Sequence, residues 1–207
     1  MYSQDLFRTD SQRDLLALMR AHPLATLVAR TEASMEAHLL PLQVPDDDEA
    51  PLRLRGHLSR QHALAGLAEG AEVLGVFQSP NAYISPRWYV NGQRSGRNAP
   101  SWNYAAAEVR GRIRFVDDQD WLLTHLDALT RSQEDGRDSP WSLAEAAPDF
   151  IQDTARRLLG FEIDITHMTG KRFLSQQRTS ADRDNLIKHL LQEKPGAARD
   201  VAAMIVP

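Results

Sequence analysis

The hydrophobic pattern begins with a helix over residues 11–21, which Asp10 is expected to cap and which ends at His22-Pro23. Short apolar or alternating runs then predict strands over residues 24–28, 35–42, 52–57, 72–77 and 104–116, and the polar residues 30–34 predict a hairpin between the first two. The strands and helices do not follow a regular βαβ rhythm. Many short strands with interspersed helices favour a barrel decorated with helices. The pattern therefore predicts an α+β fold.

Helix signals return in the second half of the chain. Asp118 precedes a helix whose shared face comprises Trp121, Leu122, His125, Leu126 and Leu129. Pro148 and Gly160 bracket a shorter helix, because proline is favoured at a helix start and glycine just past its end. These signals predict two helices before the last strands.

The last strand and helix have signals of their own. Alternation of Phe161, Ile163 and Ile165 predicts a strand, and Thr169-Gly170 predicts a turn after it. Ser180 is then expected to cap a final amphipathic helix. We expect one domain over residues 1–190 and a helical tail over residues 191–207.

Composition narrows the class of protein. Of the 207 residues, 42% are hydrophobic and 25% are charged, and no apolar run approaches the roughly 18 residues of a bilayer span. The absence of cysteine excludes disulfides, thiolate metal sites and cysteine nucleophiles. We expect a cytoplasmic protein with no export signal and no membrane partner.

The chain lacks the common motifs of catalysis. It has no glycine-rich dinucleotide or P-loop sequence and no G-x-S-x-G elbow. None of its seven histidines pairs with another at the i, i+4 spacing of a helical metal site, so we expect no metal. The acidic run over residues 46–49 reads as a solvated turn. No catalytic acid, base or nucleophile is identifiable.

Charged and aromatic residues offer candidates for binding. Arg110, Arg112 and Arg114 share one face of a predicted strand, which is either solvated or an anion site. His38 and His57 lie in predicted strands, where they either face a common pocket or are satisfied core or edge residues. A net charge of -4 without a helix-turn-helix spacing argues against direct DNA binding.

One segment, residues 78–103, combines loop composition with an unusual number of aromatic side chains. It is rich in proline, glycine, asparagine and arginine, yet it holds Tyr83, Trp88, Tyr89 and Trp102. A linker does not require such a density of aromatic residues. We predict that this segment is functional.

A series of motifs carries a family resemblance. The motifs are LMRAHPLATLV from Leu18, AHLLPL from Ala37, LRGHLSR from Leu54, NAYISPRWY from Asn81, APSWNYAAAEVRG from Ala99, GFEIDI from Gly160 and GKRFLSQQR from Gly170. In this order and spacing, from residue 1 to about residue 190, the chain resembles the PaiB-type FMN-binding negative transcriptional regulators.

The resemblance implies a mainly antiparallel split β-barrel, a homodimer and FMN as the cofactor. DNA is a partner only by this family inference. The isoalloxazine wall is expected from Tyr83, Trp88, Tyr89, Trp102 and Asn103, whose side chains suit a flavin. The phosphate is expected to meet Lys171, Ser175, Gln176, Gln177 and Arg178, with Ser85 and Ser101 contributing. His38 and His57 complete the expected cofactor-binding set, because a neutral imidazole can donate to a phosphate or a carbonyl.

Several positions depart from the family pattern, among them Gln61-His62, which stand where Asn-Pro is common. Ser101 and Gln177 replace a threonine and an asparagine, and Glu108 replaces a histidine. Two alternatives to a flavin-binding regulator stay open at this point. One is a flavin-dependent oxidoreductase or flavin reductase, and the other is a dimeric interaction module without flavin.

Overall fold

The structure is a computed structural model that describes residues 1, 3–45, 52–91, 96–193 and 196. The predicted acidic turn and almost all of the tail after residue 193 lie outside the described residues. The chain forms two compact units. The first comprises residues 1–79 and 105–171, and the second comprises residues 80–104 and 172–207.

The described residues form eight strands and four α-helices. The strands are β1 Arg8–Thr9, β2 Leu24–Arg30, β3 Met35–Pro41, β4 Arg53–Ser59, β5 Glu72–Gln78, β6 Ala82–Ile84, β7 Ser101–Val116 and β8 Leu158–Phe173. The helices are α1 Gln12–Ala21, α2 Gln119–Glu134, α3 Pro148–Ala155 and α4 Ser180–Gln192. None of the helices in the described ranges is both long and apolar enough to cross a membrane.

The sheet of the first unit is antiparallel, with the order β1-β8-β7-β5-β2-β3, and β4 pairs with β8 as well. The predicted α+β class and the predicted hairpin between β2 and β3 are confirmed. The β4–β8 pairing joins distant parts of the chain, since Arg53 faces Asp164 across it.

Alternation along the strands separates a core face from an outer face. On β2, Ala25, Leu27 and Ala29 are buried in a core that Phe77 and Phe161 also fill. The intervening residues of β2, with their neighbours on β3 and β5, form the outer face. This face is defined by Leu24, Thr26, Val28, Arg30, Met35, Ala37, Leu39, Leu74 and Val76.

Two helix caps differ from the prediction by one residue. Ser11, not Asp10, caps α1, because its Oγ accepts a hydrogen bond from the backbone N–H of Asp14 at 3.4 Å. Thr179, not Ser180, caps α4 through the backbone N–H of Asp182. The prediction that Asp118 caps α2 is confirmed.

Two glycines that were expected to end elements lie inside the long strand β8. Gly160 does not stop α3, and Gly170 does not make a turn. Each glycine instead allows close packing, because a Cβ at Gly160 would overlap the ring of Trp121 and a Cβ at Gly170 would overlap the side chain of Leu15. Both local predictions were wrong because the contacts that need glycine come from distant residues.

The second unit has a small core of its own. Ile84, Tyr89 and Leu186 are buried, with Trp88 and Leu190 packed against them. Strand β6 pairs with the first residues of β7, and α4 packs against the 3-10 helix Pro86–Trp88. Asn185 on α4 donates a hydrogen bond to the Trp88 carbonyl at 2.7 Å.

Candidate functional site

His38, in the first unit, is paired with a carboxylate on its own strand. Its Nε2 lies 3.0 Å from Oε2 of Glu36, and its ring meets the ring of His62 edge-on, with the centroids 4.5 Å apart. Hydrogen bonds from the Thr31 hydroxyl and from His38 lower the pKa of Glu36. His62 uses Nδ1 to accept the Leu64 N–H, which caps a short 3-10 helix.

His57 lies on β4 and contacts a histidine from helix α2. Its Nδ1 is 3.2 Å from Nε2 of His125, whose Nδ1 is 3.1 Å from Oε1 of Gln43. The Trp121 ring stacks on His125, which is buried. Burial, followed by the charges of His57 and Arg55, lowers the pKa of His125 to about 3. Burial also lowers the pKa of His57.

Sequence reasoning missed His125 and Gln43 as partners of His57. The available signal was the polar ring of His125 within the apolar face of a helix. A buried polar group needs a hydrogen-bond partner, so this position called for one elsewhere in the chain. The pattern could not name that partner, because His57 and Gln43 precede His125 by 68 and 82 positions.

The outer face of the sheet leaves apolar side chains uncovered. Leu24, Met35 and Leu39 are 60%, 57% and 67% exposed. A concavity of about 750 Å³ opens at Met35, and its lining also includes Val28, Arg30, Glu72, Leu74, Arg110 and Arg112. An exposed apolar patch with a polar rim is typical of an interaction surface.

The predicted arginine stripe is balanced by acidic side chains. Arg110 pairs with Glu108 (3.2 Å), Arg112 pairs with Glu72 (3.3 Å) and Arg114 pairs with the buried Glu162. Glu108 also holds the Met1 ammonium at 2.8 Å, and that hydrogen bond is the main reason its pKa is lowered. These pairings favour the solvated interpretation of the stripe over an anion site.

Two predicted aromatic residues come together in the second unit. Tyr83 on β6 faces Trp102 on β7, and the rings meet edge to face with centroids 5.9 Å apart. They are 47% and 54% exposed, so neither belongs to the core. An exposed aromatic pair on a two-stranded ribbon can form one wall of a site for a planar ligand.

The other aromatic candidates pack against their own unit. Trp88 stacks on His189 of α4, with the rings 5.4 Å apart and nearly parallel. Ser85 caps the 3-10 helix by accepting the Arg87 N–H at 3.3 Å. Tyr89 is buried, and the Arg178 guanidinium lies 4.0 Å above the centre of its ring. Trp88 and Tyr89 therefore pack against residues of the second unit.

The predicted phosphate segment folds into a tight turn. Ser175 is buried with φ 60°, and its Oγ donates a hydrogen bond to Oδ1 of Asn103 at 3.1 Å. The amide of Gln176 bonds to the backbone of the same turn, whereas Gln177 is exposed. A left-handed serine costs of order 1–3 kcal/mol, and such residues cluster at functional sites.

The structure groups some of the predicted site residues and separates others. In the second unit it joins Tyr83 with Trp102, Asn103 with Ser175, and Tyr89 with Arg178. Ser101 faces Ile84 across the β6–β7 pair. In the first unit, His38 and His57 have separate partners, and Lys171 faces Arg8 across β1 and β8.

A flavin needs an apolar or aromatic wall and a donor for its phosphate. The Tyr83–Trp102 pair meets the first need. Arg178 meets the second, because its buried Nε has no hydrogen-bond partner in the described part of the chain. These residues therefore fit the group that the family resemblance implies.

Comparison with known proteins gives one family and several relatives. Residues 1–167 match the family described as "Putative FMN-binding domain". The chain is similar to protease synthase and sporulation protein PAI 2 of Bacillus subtilis, with 27% identity over 206 residues, 99% of this chain and 96% of that protein.

Two solved structures share the fold. The flavocytochrome Anf3 from Azotobacter vinelandii has a TM-score of 0.61 at 13% identity, covering 87% of this chain and 73% of that one. An FAD and heme binding protein from Mycobacterium smegmatis has a TM-score of 0.57 at 20% identity, covering 95% and 79%. The prediction of a split-barrel fold is confirmed.

Proposed function

This chain belongs to the FMN-binding domain family, with FMN as its cofactor, and we propose that it holds FMN as a homodimer with a regulatory role. The proposed regulatory role rests on the family resemblance and on the similarity to PAI 2, which is named a protease synthase and sporulation protein. Bound FMN would supply a ring system that accepts electrons. A cytoplasmic location, as expected from the sequence, completes the proposal.

The exposed Tyr83–Trp102 pair is the observation that carries the FMN assignment. A pair of rings left half exposed on a narrow ribbon gains little stability where it is, but it offers a wall for an isoalloxazine. Asn103, on the same ribbon, is held by Ser175 and can bond to polar edges of a ligand. Arg178 is the proposed phosphate cation of this unit. In the first unit the proposed flavin contacts are His38, His57 and Lys171.

FMN titration with fluorescence quenching tests the assignment. Trp102→Ala should weaken FMN binding by roughly five- to a hundredfold, since stacking on an aromatic side chain is worth about 1–3 kcal/mol. Trp141→Ala is the matched control, because Trp141 is also exposed (42%) but lies in the first unit and outside the predicted set. Failure of the unmutated protein to bind FMN would refute the proposal.

The outer face supports the homodimer. It exposes Leu24, Met35 and Leu39, and the concavity at Met35 is lined by both Arg110 and Glu72. A rim of mixed charge can meet a second copy of itself across a twofold axis, because such an interface pairs one patch with its own copy. An apolar centre with a polar rim is also the usual anatomy of such interfaces.

Sedimentation of the purified protein tests the dimer. Leu39→Glu should convert dimers to monomers, because it places a charge at the apolar centre of the face. Phe150→Glu, on helix α3, changes another exposed apolar residue (64%) and should leave the dimer intact. Dimers that survive Leu39→Glu would contradict the assigned interface.

The charges favour a regulatory route through a small molecule or a protein. Each arginine of the stripe already has a carboxylate partner, and the net charge is -4.

The rival function is a flavin reductase. Sustained oxidation of a nicotinamide cofactor by the FMN-loaded protein would support that rival and contradict a purely regulatory role.

A further inference from the structure

Three side chains of the first unit form a continuous hydrogen-bonded chain. It runs from His57 on β4, through His125 on α2, to Gln43, with separations of 3.2 and 3.1 Å between the bonding atoms. His125 is only 3% exposed, and Trp121 covers its ring. Water therefore has little access to the central member, and the three groups must satisfy one another.

The hydrogen bonds between these three side chains all run in one donor-to-acceptor direction, which the side-chain oxygen of Gln43 fixes. An amide oxygen only accepts hydrogen bonds, so Nδ1 of His125 carries the proton and donates it to Gln43. A neutral imidazole has one N–H, so Nε2 of His125 accepts, and Nδ1 of His57 must donate to it. By the same rule, Nε2 of His57 is left with a lone pair.

Both rings are neutral at neutral pH. Burial lowers the pKa of each histidine. The charged group that acts on His125 beyond the pair is Arg55 on β4, whose positive charge opposes a second cation beside it. Trp121 and Gln43, the other neighbours, carry no charge.

We propose that Gln43 and His125 are positioning residues that fix the tautomer of His57, so that His57 presents an acceptor nitrogen to its ligand. The ligand group it takes is then a hydroxyl or an N–H, such as a ribityl hydroxyl of the flavin. A phosphate dianion has only acceptor oxygens and cannot pair with this nitrogen. The ligand assignment rests on the proposed FMN binding, whereas the tautomer does not.

Long-range nitrogen–proton NMR of the ligand-free protein tests the tautomer. We expect His57 to carry its proton on Nδ1, with Nε2 unprotonated. Gln43→Glu should preserve this state, because a carboxylate is also a pure acceptor, while Gln43→Leu should give a mixture of tautomers in a protein that still folds. Protonation of His57 at Nε2 in the unmutated protein, or an unchanged tautomer in Gln43→Leu, would overturn the proposal.

Binding of FMN and of riboflavin tests the ligand group. His57→Leu should weaken both by the same factor, about two- to tenfold, the worth of one hydrogen bond. A loss confined to FMN would place His57 at the phosphate and overturn the assignment. Gln43→Glu should retain the affinity for both flavins, and a loss there with the tautomer intact would also count against it. If the unmutated protein bound neither flavin, the proposed function would fail while the NMR result stood.

Discussion

Replacing Gly160 with alanine should destabilise the first unit, because the added Cβ has no space. It would overlap the Trp121 ring and lie 3.0 Å from the Val116 carbonyl oxygen. Neither neighbour yields easily, since Trp121 is stacked on His125 and the oxygen belongs to the backbone. Overpacking of a core costs about 1–3 kcal/mol of unfolding free energy. Because both neighbours are rigid, we expect this variant to lose about 3 kcal/mol.

Thermal unfolding followed by circular dichroism measures this effect. At about 2–4 °C per kcal/mol for a chain of this length, the Tm of Gly160→Ala should fall by about 6–12 °C. Gly66→Ala is the matched control, because no atom lies within 4 Å of its Cβ position and its φ is not left-handed. That control should leave the Tm unchanged or raise it slightly. A fall of less than about 2 °C in Gly160→Ala would refute the packing argument.

Three further predictions concern buried groups. Burial, and then neighbouring positive charge, lowers the pKa of His125 to about 3, so stability from its neutral ring is complete above about pH 6.5 and is lost as the pH falls toward 3. His125→Phe should flatten the dependence of Tm on pH in this range, and an unchanged slope would contradict that. Burial raises the pKa of Asp182, but hydrogen bonds, first from the backbone N–H of Asn91, outweigh burial and lower it. Asp182→Asn should therefore destabilise the second unit by about 1.5–3 kcal/mol, and this difference should fade as acid protonates the carboxylate of the unmutated protein. At pH 7 the variant should be cleaved faster by a protease within residues 89–91. Equal cleavage of the two proteins would refute this prediction. Phe161→Ala empties a fully buried site and should cost about 3–5 kcal/mol in urea unfolding, so a loss below about 1 kcal/mol would be unexpected.

Local patterns in the sequence were sufficient for most elements of the fold. The β2–β3 hairpin and the cap at Asp118 depend on residues close in the chain, so the sequence predicts them. The same local rules, which place glycine just past a helix end or in a turn, wrongly predicted a helix end at Gly160 and a turn at Gly170. Their actual role is to admit Trp121 and Leu15, and only the folded chain brings those side chains near.

The candidate site was predictable by residue type rather than by contact. The aromatic density of residues 78–103 pointed to Tyr83 and Trp102, which the structure places face to edge. Its place in a predicted strand also made His57 a binding candidate, but nothing near it in sequence indicates His125. A tautomer depends on a partner many positions away, so it could be inferred only after the strands and helices were in place.

The pairing of β4 with β8 has a consequence for synthesis of the protein. Arg53 and its partner Asp164 are 111 positions apart, and no strand made earlier pairs with β4 along its full length in the described chain. At a translation rate of about 5–20 residues per second, β8 is synthesised roughly 5–20 seconds after β4, and β4 lacks its pairing strand during that time. During that interval the backbone groups of β4 can join strands of other nascent chains, and closure of the sheet by such distant segments is slow. Chaperone demand during translation should therefore peak between the emergence of these two strands.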